Sequence, residues 1–149
     1  MTIRIIEANI DQLDSVTHLF NKYMIFYKKP SNEPIYKAYL KERIENKEAT
    51  VYLAIDVNNT PLGFVLNYYA FSSVSLGKTI TLNDLYVQPE YRKNGIAEQL
   101  IRKTFELAKS VGAIRVDLGT AKDNYSAQKL YERIGFTRDK QFYAYSYSM

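Results

Sequence analysis

Apolar residues recur along this chain with two rhythms, one typical of amphipathic helices and one typical of strands. Spacings of three and four residues predict helices at 13–27, 35–44, 97–111 and 125–134. Apolar runs bounded by turn residues predict strands at 2–6, 50–57, 62–71, 79–87, 114–118 and 141–147. A strand meander followed by helix–strand crossovers is typical of a mixed sheet with helices on both faces. We therefore predict one α/β domain over residues 1–149, whose second helix buries Ile35, Tyr39, Leu40 and Ile44.

The composition excludes several classes of protein and of site. With 46% hydrophobic and 24% charged residues, the chain resembles globular proteins and not disordered ones. The absence of cysteine excludes disulfides, zinc–thiolate sites and cysteine nucleophiles, and the single histidine, His18, excludes a histidine cluster for a metal. No apolar run approaches the roughly 20 residues of a membrane-spanning helix. We expect a soluble cytoplasmic protein that binds neither a metal nor a membrane.

The net charge is mildly positive, +4, from 20 Lys and Arg against 16 Asp and Glu. Such a balance suits a polyanionic ligand, and nucleic acid is one candidate because lysines could contact phosphates and the 14 tyrosines and 7 phenylalanines could add stacking contacts. The basic residues are interspersed with acidic ones, however, and the chain contains no arginine-rich run or zinc-finger spacing. A solvated surface of mixed charge is therefore the favoured interpretation, and nucleic acid is not an expected partner.

The segment after the strand at 79–87 has the composition of an anion site. It places Arg92, Lys93, Gly95 and Ala97 in a short loop that leads directly into a helix. The first amides of a helix lack partners within it and carry the positive end of its dipole, so they favour an anion. Gly95 permits a positive φ or a close backbone approach. The pattern predicts a cradle for a diphosphate, although an ordinary strand-to-helix turn with a solvent-facing arginine has the same composition.

Two motifs in the second half of the chain carry a family resemblance. The first is Arg92-x-x-Gly95-x-Ala97, which follows Leu85-Tyr86-Val87. The second is Asn124-x-x-Ala127-x-x-Leu130-Tyr131-x-x-x-Gly135-Phe136. Together, and in this order of predicted elements, they resemble the GNAT superfamily of acyl-CoA N-acyltransferases. Within it, Asn83-Asp84-Leu85-Tyr86-Val87 is similar to the diamine (spermidine/spermine-type) acetyltransferase branch.

The resemblance implies a GNAT-like fold and acetyl-CoA as the co-substrate. In that fold, a mostly antiparallel sheet opens between two neighbouring parallel strands, and the cofactor lies in the opening. The residues that the resemblance assigns to cofactor binding are Leu85, Tyr86, Val87, Arg92, Lys93, Asn94, Gly95, Ile96, Ala97, Glu98, Asn124, Ala127 and Tyr131. Tyr131 would also be the general acid that protonates the departing thiolate, because a neutral phenol is available at physiological pH.

The base that deprotonates the acceptor amine is less clearly marked. The related branch usually carries glutamate where this chain has Asn83, and asparagine cannot act as a base. The role therefore passes to Asp84, to another acid or to water, and a structural role of Asp84 is an equal alternative. The residues that could line the acceptor pocket are Tyr27, Tyr36, Asp84 and Tyr86.

The resemblance implies an N-acetyltransferase that modifies a primary amine of a small molecule, such as a polyamine, a diamine or an amino-acid-like compound. A catalytically inactive acyl-CoA-binding module and a protein-lysine or N-terminal acetyltransferase are the alternatives. Such enzymes are frequently dimers, so we expect a homodimer. Tyr143, Tyr145 and Tyr147 alternate on the last predicted strand and fit either sheet packing or a dimer contact.

Overall fold

The computed structural model describes all residues from 1 to 149 and divides into two compact units, Met1–Gly119 and Thr120–Met149. The strands of the first unit are β1 Arg4–Ala8, β2 Ala49–Ile55, β3 Pro61–Ser72, β4 Gly77–Val87 and β5 Arg115–Asp117. Its helices are α1 Leu13–Phe26, α2 Glu33–Glu45 and α3 Ile96–Ser110. The strands lie in chain order in one sheet, in which β1 to β4 pair antiparallel and β5 pairs parallel with β4. The predicted mixed α/β fold is confirmed.

Helices cover both faces of this sheet. On one face, α1 and α2 pack Leu13, Val16, Leu19 and Leu40 against a row of sheet residues that includes Phe64. On the other face, α3 is joined to β3 by a buried hydrogen bond of 3.1 Å from the Thr104 hydroxyl to the Asn67 side-chain carbonyl. Each fully buried leucine contributes about 1.5–3 kcal/mol, so these two layers hold the sheet in place.

The second helix buries a different stripe from the one that the sequence predicted. Tyr36 and Leu40 are buried, whereas Ile35 and Tyr39 are 62% and 41% exposed. The prediction was wrong for these two residues because α2 contacts the core along positions four residues apart, through Tyr36, Leu40 and the partly buried Ile44. The helix begins at Glu33, two residues before the predicted start, because the Asn32 side chain accepts a hydrogen bond from the Ile35 amide and so caps its first turn.

The two parallel strands separate after a short contact. Residues Thr79, Ile80 and Thr81 of β4 pair with the three residues of β5, and β4 then continues to Val87 without pairing with β5. On its other edge β4 stays paired with β3 as far as Val87, opposite Gly63. The β4 edge from Leu82 onward therefore has no partner strand in the sheet, which is the opening that the family resemblance implies.

A β-bulge lies where the strands separate. Leu82 pairs with Asn67 and Asp84 pairs with the adjacent Leu66, so Asn83 is an extra residue in β4. An extra residue reverses the alternation of side chains along a strand. Leu82 therefore shares a sheet face with Asn67 and α3, whereas Asp84 shares the opposite face with Leu66, on the side of α1 and α2.

The second unit contains one helix, α4 Tyr125–Ile134, at the position that the sequence predicts. The strand predicted at 141–147 is absent from it. The alternating aromatic residues favour extended backbone, but a strand also needs a second strand to complete its hydrogen bonds, and residues 120–149 contain no other strand. No helix in either unit combines the length and the apolar character that crossing a bilayer requires.

Candidate active site

The free edge of β4 offers backbone amides to a ligand. The Gln88 amide donates to the Leu62 carbonyl at 2.9 Å, so it points towards β3. Successive backbone groups in a strand point to opposite edges, and the amides of Val87 and Leu85 therefore point towards the free edge. Gly63 allows the close packing of β3 behind this segment, since a Cβ there would lie 2.6 Å from the Tyr86 carbonyl oxygen.

The loop between β4 and α3 has the backbone of an anion cradle. Lys93 and Gly95 both have positive φ angles, 65° and 76°, and Gly95 is the residue that precedes α3. The Asn94 side chain donates to the carbonyls of Tyr91 and Arg92 at 3.0 and 3.2 Å, which fixes the turn. No side chain caps the first turn of α3, and a Cβ on Gly95 would meet nothing within 4 Å. The expected positive φ at Gly95 is confirmed, and the loop leaves space at the helix start.

Arg92 connects this loop to the end of β4. Its Nε donates to the Val87 carbonyl at 2.9 Å, and its guanidinium lies 5.6 Å from the centre of the Tyr86 ring. The hydrogen bond uses the Val87 carbonyl and leaves the amide of the same residue facing the free edge. The guanidinium also places a positive charge at the Val87 end of the free strand edge, which favours an anionic ligand there.

Asp84 is a buried carboxyl group whose partners are uncharged. Asp84 is 8% exposed, and its Oδ2 accepts a hydrogen bond of 3.1 Å from the side-chain Nδ2 of Asn83. The Tyr23 hydroxyl also hydrogen-bonds this carboxyl group. Burial raises the pKa of the Asp84 carboxyl because it disfavours the charged form, and the two hydrogen bonds oppose that rise. A buried carboxylate without a cationic partner either holds a proton or awaits a cation.

Tyrosines surround Asp84 on the α1 side of the sheet. The Tyr23 ring centre lies 4.9 Å from that of Tyr27 and 6.3 Å from that of Tyr86. Burial, and then the nearby Asp84 charge, raise the pKa of Tyr23 well above its ordinary value. The Tyr68 hydroxyl lies 2.7 Å from that of Tyr39, and burial followed by this hydrogen bond raises the pKa of Tyr68. The phenols of Tyr23 and Tyr68 are therefore neutral at physiological pH.

The structure brings most of the predicted acceptor residues together. Tyr86 lies on the same sheet face as Asp84, because the two residues are two positions apart on β4 and pair with Phe64 and Leu66 of β3. Tyr27 contacts the same cluster through the ring of Tyr23. Tyr36 lies elsewhere: its hydroxyl donates to the Pro30 carbonyl, and its ring packs edge-on against Phe20 in the core.

Sequence analysis missed Tyr23 and Tyr68 as neighbours of the carboxyl group. The spacing that predicts the helix at 13–27 does not set Tyr23 apart from the other positions of its apolar stripe. A tyrosine on such a stripe needs a partner for its hydroxyl, and this requirement is the signal that could have identified it. Tyr68 gave no comparable signal, because its approach to Asp84 depends on the register of β3 and β4.

The remaining predicted residues lie in the second unit. The Asn124 side chain accepts from the Ala127 amide at 3.3 Å and so begins α4. The Tyr131 ring packs edge-on against Phe136, with ring centres 5.8 Å apart. Their roles towards the cofactor stay predictions.

Comparison with known proteins identifies the family. The Acetyltransferase (GNAT) family model matches residues 13–136. The uncharacterized N-acetyltransferase YhfO of Bacillus subtilis (strain 168) is 35% identical over 97% of this chain and 95% of its own length. A thialysine N-epsilon-acetyltransferase of Caenorhabditis elegans is 28% identical over 89% of this chain and 81% of its own. A crystal structure of a probable acetyltransferase, 37% identical, superposes with a TM-score of 0.92 over 98% of this chain and 97% of that one. The chain therefore belongs to the GNAT family and is an acetyl-CoA-dependent N-acetyltransferase.

Proposed function

We propose that this enzyme acetylates a primary amine of a small cationic molecule, with Asp84 receiving the amine. The observation that carries the proposal is the buried carboxyl group beside the free edge of β4, with only uncharged hydrogen-bond partners. An ammonium group would supply the missing positive charge, and tyrosine rings favour cations at their faces. The similarity to a protein named for thialysine, a small amine, supports the same substrate class.

The residues of the first unit suit acetyl-CoA. The amides of Leu85 and Val87 would pair with the extended arm of the cofactor as an added strand does. The backbone of residues 93–98 would receive the diphosphate at the start of α3, with Arg92 and Lys93 adding charge. When bound, acetyl-CoA supplies an acetyl group that is activated as a thioester.

The chemistry needs a base, a donor for developing negative charge and an acid. Asp84 would take the proton that the acceptor ammonium must lose before its nitrogen can form a bond to the carbonyl carbon. A raised pKa makes this carboxylate a stronger base. The Val87 amide would donate to the carbonyl oxygen as negative charge develops there. Tyr131 would donate its proton to the sulfur as the carbon–sulfur bond breaks.

Two measurements test the proposal. Titration calorimetry with acetyl-CoA should show saturable binding, and a panel of small amines should release free CoA thiol from acetyl-CoA with at least one member. Binding without thiol release for any small amine would favour the inactive module, and release only with lysine peptides or peptide N-termini would favour a protein acetyltransferase. Either result contradicts the proposal.

Gly95 offers a test of the diphosphate cradle alone. We expect Gly95→Ala to weaken acetyl-CoA binding by about fivefold, because a Cβ at a φ of 76° costs about 1 kcal/mol and shifts the amides that begin α3. Gly112→Ala is the matched control, because Gly112 follows the other end of the same helix with a φ of 71°. A Cβ at this position would also meet no atom within 4 Å. Both variants should lose similar stability, but only the first should lose affinity. Equal affinities in calorimetry would place the diphosphate elsewhere.

A further inference from the structure

We infer that Tyr23 is the positioning residue of this active site: its hydroxyl orients the Asp84 carboxylate for the acceptor amine. The inference rests on the proposed role of Asp84 and adds a residue on α1 that no sequence motif marks. Asp84 and Tyr86 project from the same face of β4, and the Tyr23 ring meets the Tyr86 ring edge-on with centres 6.3 Å apart, so Tyr23 stands beside the carboxyl group that its hydroxyl hydrogen-bonds. Tyr27 is 45% exposed and packs edge-on against Tyr23 with ring centres 4.9 Å apart, so the two tyrosines lead from the buried carboxyl group towards the surface.

The ring of Tyr23 is held on several sides. Its centre lies 5.9 Å from both Phe20 and Phe64, and the Phe64 contact is edge-on. Tyr86, which is two residues beyond Asp84 on the same strand face, also meets the ring edge-on. A ring fixed in this way can direct its hydroxyl to one place, so the position of the hydroxyl is set by packing and not by the carboxyl group that it meets.

The hydrogen bonds leave capacity on Asp84 for a substrate. An ionised carboxylate offers about four acceptor positions, of which Asn83 and Tyr23 use two. Both partners are neutral donors, so they hold the carboxylate without neutralising it. A lysine or arginine in the place of Tyr23 would repel the ammonium that the site is proposed to receive.

The groups that could titrate or carry charge near Asp84 come from α1, α2, β3 and β4 and from the segment that follows β4. They are Tyr23 on α1 and Tyr27 directly after it, Tyr39 and Arg43 on α2 beyond Tyr68, Tyr68 itself on β3, Tyr86 on β4, and Glu90 and Arg92 beyond the Tyr86 ring. Burial raises the pKa values of Tyr23, Tyr68 and Tyr86 above the ordinary tyrosine value of about 10. Glu90 is the other carboxyl group of this set, so the pH effect is assigned to Asp84 by a Glu90→Gln variant, which should keep the acidic limb of the wild type.

Tyr23→Phe tests the inference because it removes the hydroxyl and keeps the ring. The hydroxyl stabilises the charged carboxylate, so its loss raises the pKa of Asp84 further. Since the reaction needs the deprotonated form, the acidic limb of kcat/KM against pH should move to higher pH by about one unit. The KM for acetyl-CoA should stay unchanged, and activity should recover as the pH is raised.

Tyr52→Phe is the matched control. Tyr52 is a buried tyrosine of β2 on the α3 side of the sheet, where Lys103 lies over its ring, so its hydroxyl does not reach Asp84. This variant should keep the acidic limb of the wild type. A thermal scan of both variants shows whether either has lost its fold, and in the Asp84→Asn background Tyr23→Phe should have no further effect on the pH profile.

Carbon-13 NMR titration of the Asp84 carboxyl group in the free protein separates failure of this inference from failure of the proposed function. Tyr23→Phe should raise its midpoint by about one pH unit, whatever the enzyme acetylates. An active wild type with an unshifted midpoint and an unshifted limb in Tyr23→Phe overturns the role of Tyr23. A shifted midpoint in a protein that transfers no acetyl group would keep the Tyr23–Asp84 contact and overturn the proposed reaction.

Discussion

Replacing Asp84 by asparagine is expected to lower kcat/KM for the acceptor amine by about 10²–10⁴-fold while raising the thermal unfolding midpoint at pH 7. The activity falls because the amide cannot accept the proton of the ammonium group. The stability rises because the buried charge disappears, while the asparagine oxygen can still accept from Asn83 and Tyr23. A group that serves function at the expense of stability shows this combination of changes.

The stability gain should depend on pH in a defined direction. Burial raises the pKa of Asp84 in the folded protein, so the unfolded chain ionises first. Below the unfolded pKa of about 4 the wild-type carboxyl is neutral in both states, and the two proteins should unfold at the same temperature. As the pH rises through the folded pKa, the wild type loses stability that Asp84→Asn keeps. Thermal scans between pH 4 and pH 7 measure the difference.

Asp56 provides the control for this prediction because its environment lowers the pKa of its carboxyl group, whereas that of Asp84 raises it. Its carboxylate accepts backbone hydrogen bonds from Asn58 and Thr60 in the β2–β3 turn, and these lower its pKa. Asp56→Asn should keep full activity and should not raise the unfolding midpoint. If Asp84→Asn also kept full activity, Asp84 would be a structural residue and the base would be another acid or water.

Replacing Tyr131 by phenylalanine is expected to lower kcat by about 10²–10⁴-fold and to change the KM for acetyl-CoA only slightly. The substitution removes the proposed proton donor to the thiolate and keeps the ring that packs against Phe136. Tyr125→Phe, in the first turn of the same helix, is the matched control and should keep the wild-type rate. Single-turnover measurements of thiol release with a fixed amine determine both values. An unchanged kcat in Tyr131→Phe would assign this tyrosine to packing alone.

Local sequence signals determined much of the fold and, within the candidate site, the loop between β4 and α3. The helix at 125–134 begins and ends where its cap residues Asn124 and Gly135 predict, because capping depends on neighbouring residues only. Gly95 adopts the positive φ that its place before α3 predicts. The loop between β4 and α3 is one continuous segment between a strand and a helix, so its backbone conformation could be predicted from its own residues.

The acceptor side of the site could not be predicted in the same way. The sequence shows Asp84 and Tyr23 as two residues far apart, and nothing in the spacing of either one indicates the other. Tertiary structure decided three features: the bulge at Asn83, the separation of β4 from β5 after Thr81, and the packing that directs the Tyr23 hydroxyl to Asp84. Strand register and the packing of a helix on a sheet depend on contacts between distant segments. These contacts cannot be predicted from local periodicity.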